Sequence, residues 1–183
     1  MAGQVFTVPN QLTFLRLGFL PFYIVLIFYE RYAWALLILV LAAATDGMDG
    51  LLARSLNQKT SLGAYLDPIA DKLLLSSSFV VLALEGRMPR WLTILVLGRD
   101  VLILTTATVI LLVVGYREFP PSVYGKATTG AQILMVLVVL LGEAFHLGLD
   151  LPRQVLAYIV AAFTIFSGFH YSVVVARRLH HHG

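Results

Sequence analysis

The chain has 183 residues, of which 59% are hydrophobic and 13% charged, with a mean hydropathy of +0.86. So little charge cannot clothe a water-facing globule, so much of the surface must meet lipid. The net charge of +3 gives no sign of a nucleic-acid partner, and the absence of cysteine excludes a disulfide framework and thiolate metal sites.

A helical span needs roughly 20 apolar residues. Six stretches qualify in chain order: residues 12–29, 33–56, 67–84, 91–114, 126–141 and 154–178. Short polar breaks separate them, among them Glu30-Arg31, residues 57–61 and a loop carrying Pro120-Pro121. The expected fold is all-α: one domain over residues 1–183, built as a bundle of six transmembrane helices. Met1-Ala2-Gly3-Gln4 lacks the basic flank of a cleavable signal peptide, so none is expected. With the N-terminus in the cytoplasm, that side holds eight basic residues: Arg16, Arg54, Lys59, Lys72, Arg117, Lys126, Arg177 and Arg178. The opposite side holds four: Arg31, Arg87, Arg90 and Arg153. The bias predicts both termini in the cytoplasm.

Against this apolar background, four of the ten acidic residues crowd into the second and third spans: Asp46, Asp49, Asp67 and Asp71. Spacings of three and four put each pair on one helical face. The short linker predicts that these two helices run as antiparallel neighbours, which brings both pairs to the cytoplasmic end. Carboxylates in a low-dielectric setting are costly, and four of them converging require neutralisation. Divalent cations with a preference for oxygen ligands, Mg2+ or Mn2+ and two of them, suit such a set. Gly50, Ala53 and Gly63 keep the adjoining surface small, and Arg54 offers a fixed fork suited to a phosphate. A structural origin has to be weighed as well. Asp67 before Pro68 has the form of a helix N-cap, and Asp71 could pair with Lys72 or another base. Asp46 and Asp49 follow an apolar run and have no such explanation.

Written as Asp46-x-x-Asp49-Gly50-x-x-Ala53-Arg54, eight residues, Gly63-x-x-x-Asp67-x-x-x-Asp71, the pattern resembles the signature of the CDP-alcohol phosphatidyltransferases. The similarity extends to Pro9-Asn10-x-x-Thr13-x-x-Arg16. The resemblance implies a six-helix membrane enzyme, a homodimer, that binds CDP-diacylglycerol at divalent metal. An alcohol attacks the lipid-side phosphorus and CMP leaves. It also implies that Asp46, Asp49, Asp67 and Asp71 are metal ligands and that Asp71 is the general base. Gly50, Ala53, Arg54 and Gly63 would line the CDP-lipid site, with Asn10 and Thr13 either adding contacts or marking a helix start.

The acceptor is decided elsewhere. Members of that family using glycerol 3-phosphate are expected to carry a second arginine two turns after the fourth-span arginine, and a second lysine opening the fifth span. Here Ala107 and Thr108 follow Arg99-Asp100, and the fifth span opens Gly125-Lys126-Ala127-Thr128-Thr129. Two cations are missing, so the expected acceptor is phosphatidylglycerol, as in the cardiolipin synthases, with Arg99 and Lys126 as its candidate ligands. Glycerol 3-phosphate is the alternative and inositol phosphate a distant third. A divalent-cation transporter is the reading from another class; acids clustered at one end rather than strung along a path argue against it.

Overall fold

The computed structural model describes residues 8–56, 61–114 and 123–180, with side chains described for residues 14–44, 70–106, 108 and 124–171. Among the described residues there are six α-helices and no strand: α1 (Val8–Phe28), α2 (Tyr32–Leu56), α3 (Ser61–Leu84), α4 (Arg90–Val114), α5 (Val123–Ala144) and α6 (Asp150–His180). Each apolar stretch expected to be helical is helical. The largest difference is at α3, which starts at Ser61 rather than at Asp67. Asp67 is thus the seventh residue of a helix, and the N-cap explanation for it fails.

The helix ends are cut sharply at one side of the bundle. After α1, α3 and α5 the chain turns through left-handed residues, with φ 56° at Glu30, 70° at Gly86 and 50° at His146. In each case the following N–H returns to a carbonyl five residues back: Arg31 to Leu26 (2.8 Å), Arg87 to Leu82 (2.8 Å) and Leu147 to Gly142 (2.9 Å). This is the Schellman closure, which satisfies carbonyls that a helix end leaves orphaned. The same three turns are knitted together by charge. Glu143 accepts from Arg153 Nη1 (2.6 Å) and pairs with Arg87 Nη1 (3.1 Å), while Arg87 Nε donates to the Tyr32 hydroxyl (3.2 Å). These contacts bring the ends of α1, α3 and α5 and the starts of α2, α4 and α6 to one side. The carboxylate-bearing end of α2 therefore lies at the other.

The expected meeting of the second and third helices at their aspartate-bearing ends falls on residues, Asp71 apart, whose side chains lie outside the described ones. Among the described residues α2 and α3 make no direct helix contact; α1 packs against both, and so does α5. The remaining pairs are α3 with α4, and α6 with α4 and α5. The interior is filled by Tyr23 and Ile27 of α1, Phe79 and Leu82 of α3, Leu92 of α4, and Met135 and Leu140 of α5, all fully buried. Outside, Phe22, Ile94, Leu104, Ile165 and Phe169 are each more than half exposed. Bulky apolar side chains turned outward on every flank are a surface for lipid rather than water. Among the described residues two helices, Tyr124–Ala144 and Asp150–Tyr171, are long and apolar enough to cross a membrane by length and composition. Both features support a membrane location.

Candidate functional site

Asp71 lies on α3 with its side chain half exposed, and Arg16 Nη1 of α1 donates to its Oδ1 at 2.5 Å. Arg16 itself is almost wholly buried. A guanidinium taken out of solvent is tolerable only beside a carboxylate, so the packing of α1 on α3 and the Arg16–Asp71 pair require each other.

The next residue opens a second chain of charge. Lys72 pairs with Asp100 of α4. Asp100 also accepts from Arg99 Nη1 at 2.9 Å, and Arg99 Nη2 donates to Ser167 Oγ of α6 at 2.9 Å. Successive helical residues point about 100° apart. Asp71 therefore turns toward α1 and Lys72 toward α4, and one stretch of α3 is tied to three other helices through its charges.

Arg16, Asp71, Lys72 and Asp100 border a cavity of about 300 Å3 between α1, α2, α3, α4 and α5. Arg16, Asp71, Lys72, Asp100, Thr129 and Gln132 form its polar portion. Leu39, Val40, Leu74, Leu75, Ile133 and Leu137 form the rest, an apolar wall far larger than a small charged molecule needs. A separate hollow of about 500 Å3 lies at the opposite end beside Arg87, Glu143 and Arg153, where those charges already satisfy one another.

The structure treats the sequence-predicted residues unequally. Asp71 borders the cavity. Arg99 does not; it is held by Asp100 and Ser167, behind the lysine that does. Lys126, near the start of α5, is exposed and also lies off the cavity wall. Asn10 and Thr13 fall in the first turns of α1, Asp46, Asp49, Gly50, Ala53 and Arg54 in α2, and Gly63 and Asp67 in α3, but their side chains lie outside the described ones. Among the described residues no group of three metal-ligating side chains forms, since three of the four aspartates are not among them.

Five polar cavity residues had no assigned site role from sequence: Arg16, Lys72, Asp100, Thr129 and Gln132. Arg16 and Asp71 are 55 positions apart, beyond any local pattern. Gln132 left one trace, a lone amide in the apolar run Ala131-Gln132-Ile133-Leu134.

Comparison with known proteins bears on the chemistry. The family model described as CDP-alcohol phosphatidyltransferase matches residues 6–166. A probable phosphatidylglycerophosphate synthase of Mycobacterium tuberculosis is 35% identical over 189 residues, covering 97% of this chain and 84% of the relative. A cardiolipin synthase (CMP-forming) of Streptomyces coelicolor is 40% identical over 132 residues, covering 69% of this chain and 61% of the relative. The CDP-diacylglycerol–glycerol-3-phosphate 3-phosphatidyltransferase of Bacillus subtilis is 30% identical over 184 residues, covering 91% and 94%. With a family match that spans most of its length and carries the aspartate signature, the chain belongs to the CDP-alcohol phosphatidyltransferase family.

Proposed function

We propose that this protein transfers the phosphatidyl group of CDP-diacylglycerol to a hydroxyl of phosphatidylglycerol, releasing CMP and forming cardiolipin. The observation that carries the choice of acceptor is the cavity wall. Its cations, Arg16 and Lys72, are each engaged by a carboxylate, and most of the remaining surface is apolar. A glycerol 3-phosphate dianion would be poorly compensated there, whereas a lipid carrying one phosphodiester charge can bring its own apolar body. Relatives bear the names cardiolipin synthase and phosphatidylglycerophosphate synthase, so the two acceptors are compared by direct assay.

In the proposed reaction Asp71 takes the proton from the acceptor hydroxyl as that oxygen bonds to the lipid-side phosphorus. The bond from phosphorus to the bridging oxygen of CMP breaks, and CMP leaves with that electron pair. Arg16 fixes the Asp71 carboxylate while leaving it half exposed to the cavity. Asp100, steadied by Arg99, holds Lys72 beside it, so Arg99 is a positioning residue. Asp71 fits a hard divalent ion, since it presents a half-exposed carboxylate at the cavity edge in a chain without thiols. Asp46, Asp49, Asp67 and Asp71 would hold two Mg2+ or Mn2+ ions. The ions would supply charge stabilisation at the attacked phosphoryl group and the leaving CMP. Arg54, Gly50, Ala53 and Gly63 would contact the CDP-lipid, with Asn10 and Thr13 nearby. Six spans with both termini cytoplasmic would set this site where a cytidine nucleotide reaches it, and a homodimer is the assembly the family resemblance implies.

The test is CMP release by the purified protein supplied with CDP-diacylglycerol, Mg2+ and either phosphatidylglycerol or glycerol 3-phosphate, with the lipid product identified. Asp71→Asn should lower the rate more than a hundredfold, the scale of losing a general base. Turnover with glycerol 3-phosphate alone would refute the choice of acceptor, and no acceptor-dependent CMP would refute the reaction.

A further inference from the structure

Several buried hydroxyls in this bundle are bonded to backbone carbonyls, although the Tyr23 hydroxyl is not. Ser78 donates to the Leu74 carbonyl (2.6 Å), Thr164 to Val160 (2.7 Å) and Thr93 across to Phe79 (3.1 Å). Gln132 of α5 does not. It is 2% exposed, it borders the cavity, and its Nε2 has no hydrogen-bond partner. Arg99 and Arg153 each keep an unpartnered Nε as well, but both bond through their other guanidinium nitrogens. A neutral donor buried this deep at the edge of the cavity, without an acceptor, costs stability until one is supplied.

The position of the donor says which acceptor. Phosphate oxygens are served by the charged groups around Asp71. Gln132 is uncharged and stands beside Ile133 and Leu137, where the wall turns from charge to oil. In an acylated glycerolipid the group at that boundary is the ester carbonyl, an uncharged acceptor between a phosphorylated headgroup and its chains. We propose that the Gln132 side-chain amide donates a hydrogen bond to an acyl-ester carbonyl of the lipid held in the cavity, and so makes the enzyme discriminate ester-linked from ether-linked lipid. The inference rests on the reading of the cavity as the lipid-substrate site. Donor and acceptor lipids both carry such esters, so each is tested in its own arm.

The experiment uses the full chain in detergent or nanodiscs and measures kcat/KM for CMP release. Diacyl and dialkyl CDP-lipids are compared with one acceptor, and diacyl and dialkyl phosphatidylglycerols with one donor. One neutral hydrogen bond predicts roughly a five- to tenfold preference for the ester in one arm. Gln132→Met, similar in volume but without the donor, should bring that ratio to about one. The lipid-free variant should unfold at the same or a higher temperature than wild type, an outcome that a merely structural glutamine would reverse. Equilibrium binding of labelled diacyl and dialkyl CDP-lipid and phosphatidylglycerol reads the same ratio without turnover, so a failed reaction and a failed Gln132 assignment give different results. A wild type indifferent to the ester in both arms overturns the inference. So does a methionine variant that keeps the wild-type preference.

Discussion

Replacing Asp100 by asparagine perturbs the charge chain at its hub while nearly preserving shape. The Asp100 carboxylate, 11% exposed, serves Lys72 of α3 and Arg99 of its own helix, and Arg99 reaches Ser167 of α6. An asparagine keeps one acceptor oxygen but no charge, so the Lys72 ammonium and the Arg99 guanidinium face each other across a neutral amide. A hydrogen bond to a charged group contributes about 1.5–3 kcal/mol. Lys72 is 40% exposed, so its share falls toward the lower figure through solvent screening. Losing one such bond and weakening the other gives about 2–3 kcal/mol, below the 3–5 kcal/mol typical of stripping a fully buried pair. At roughly 2–4 °C per kcal/mol for a chain of this size, Tm should fall by about 5–10 °C. Thermal unfolding in detergent, followed by Trp34 and Trp91 fluorescence, reads this directly. A cycle with Lys72→Met should return a coupling of about 1 kcal/mol or more. A Tm within 1 °C of wild type, with the two substitutions strictly additive, would show that Asp100 does not join the helices as described.

Chelation of divalent cations should abolish CMP release, and added Mg2+ or Mn2+ should restore it; undiminished turnover in excess chelator would remove the metal from the proposed mechanism. A Cβ at Gly142 would collide with the Arg153 guanidinium, whose Cζ lies 3.0 Å from that position. Gly142→Ala should therefore displace Arg153 from Glu143 and cost about 1–3 kcal/mol, seen as a lower Tm that Arg153→Ala in the same chain does not deepen. Thr93→Val removes the inter-helix bond to the Phe79 carbonyl and should cost about 0.6–1.5 kcal/mol without changing the ester-to-ether ratio at the cavity.

Local chemistry made some of this molecule readable in one dimension. Long apolar runs have to become helices where lipid offers the backbone no partner, so the hydropathy pattern alone places six elements. Gly86 marks a helix end because a left-handed residue is easiest without a Cβ. Glu30 and His146 end helices the same way with no such mark, since there the closure is enforced by packing and by the Glu143 and Arg87 contacts. Asp67 shows the opposite failure: a good cap dipeptide is overridden because α3 begins six residues upstream of it.

Helical class, apolar surface and aspartate signature are legible along the chain, because each depends on residues near one another in the sequence. Which charges meet depends on how the helices pack. Arg16 reaches Asp71 from 55 positions away, and Arg99, bonded to its neighbour Asp100, reaches Ser167 from 68 positions away. The same packing draws α1 into contact with both α2 and α3 and leaves an unpartnered amide on an apolar cavity wall. Buried charge and buried amide are satisfied or stranded by whatever the fold brings to them, and that partner is not written beside them in the chain.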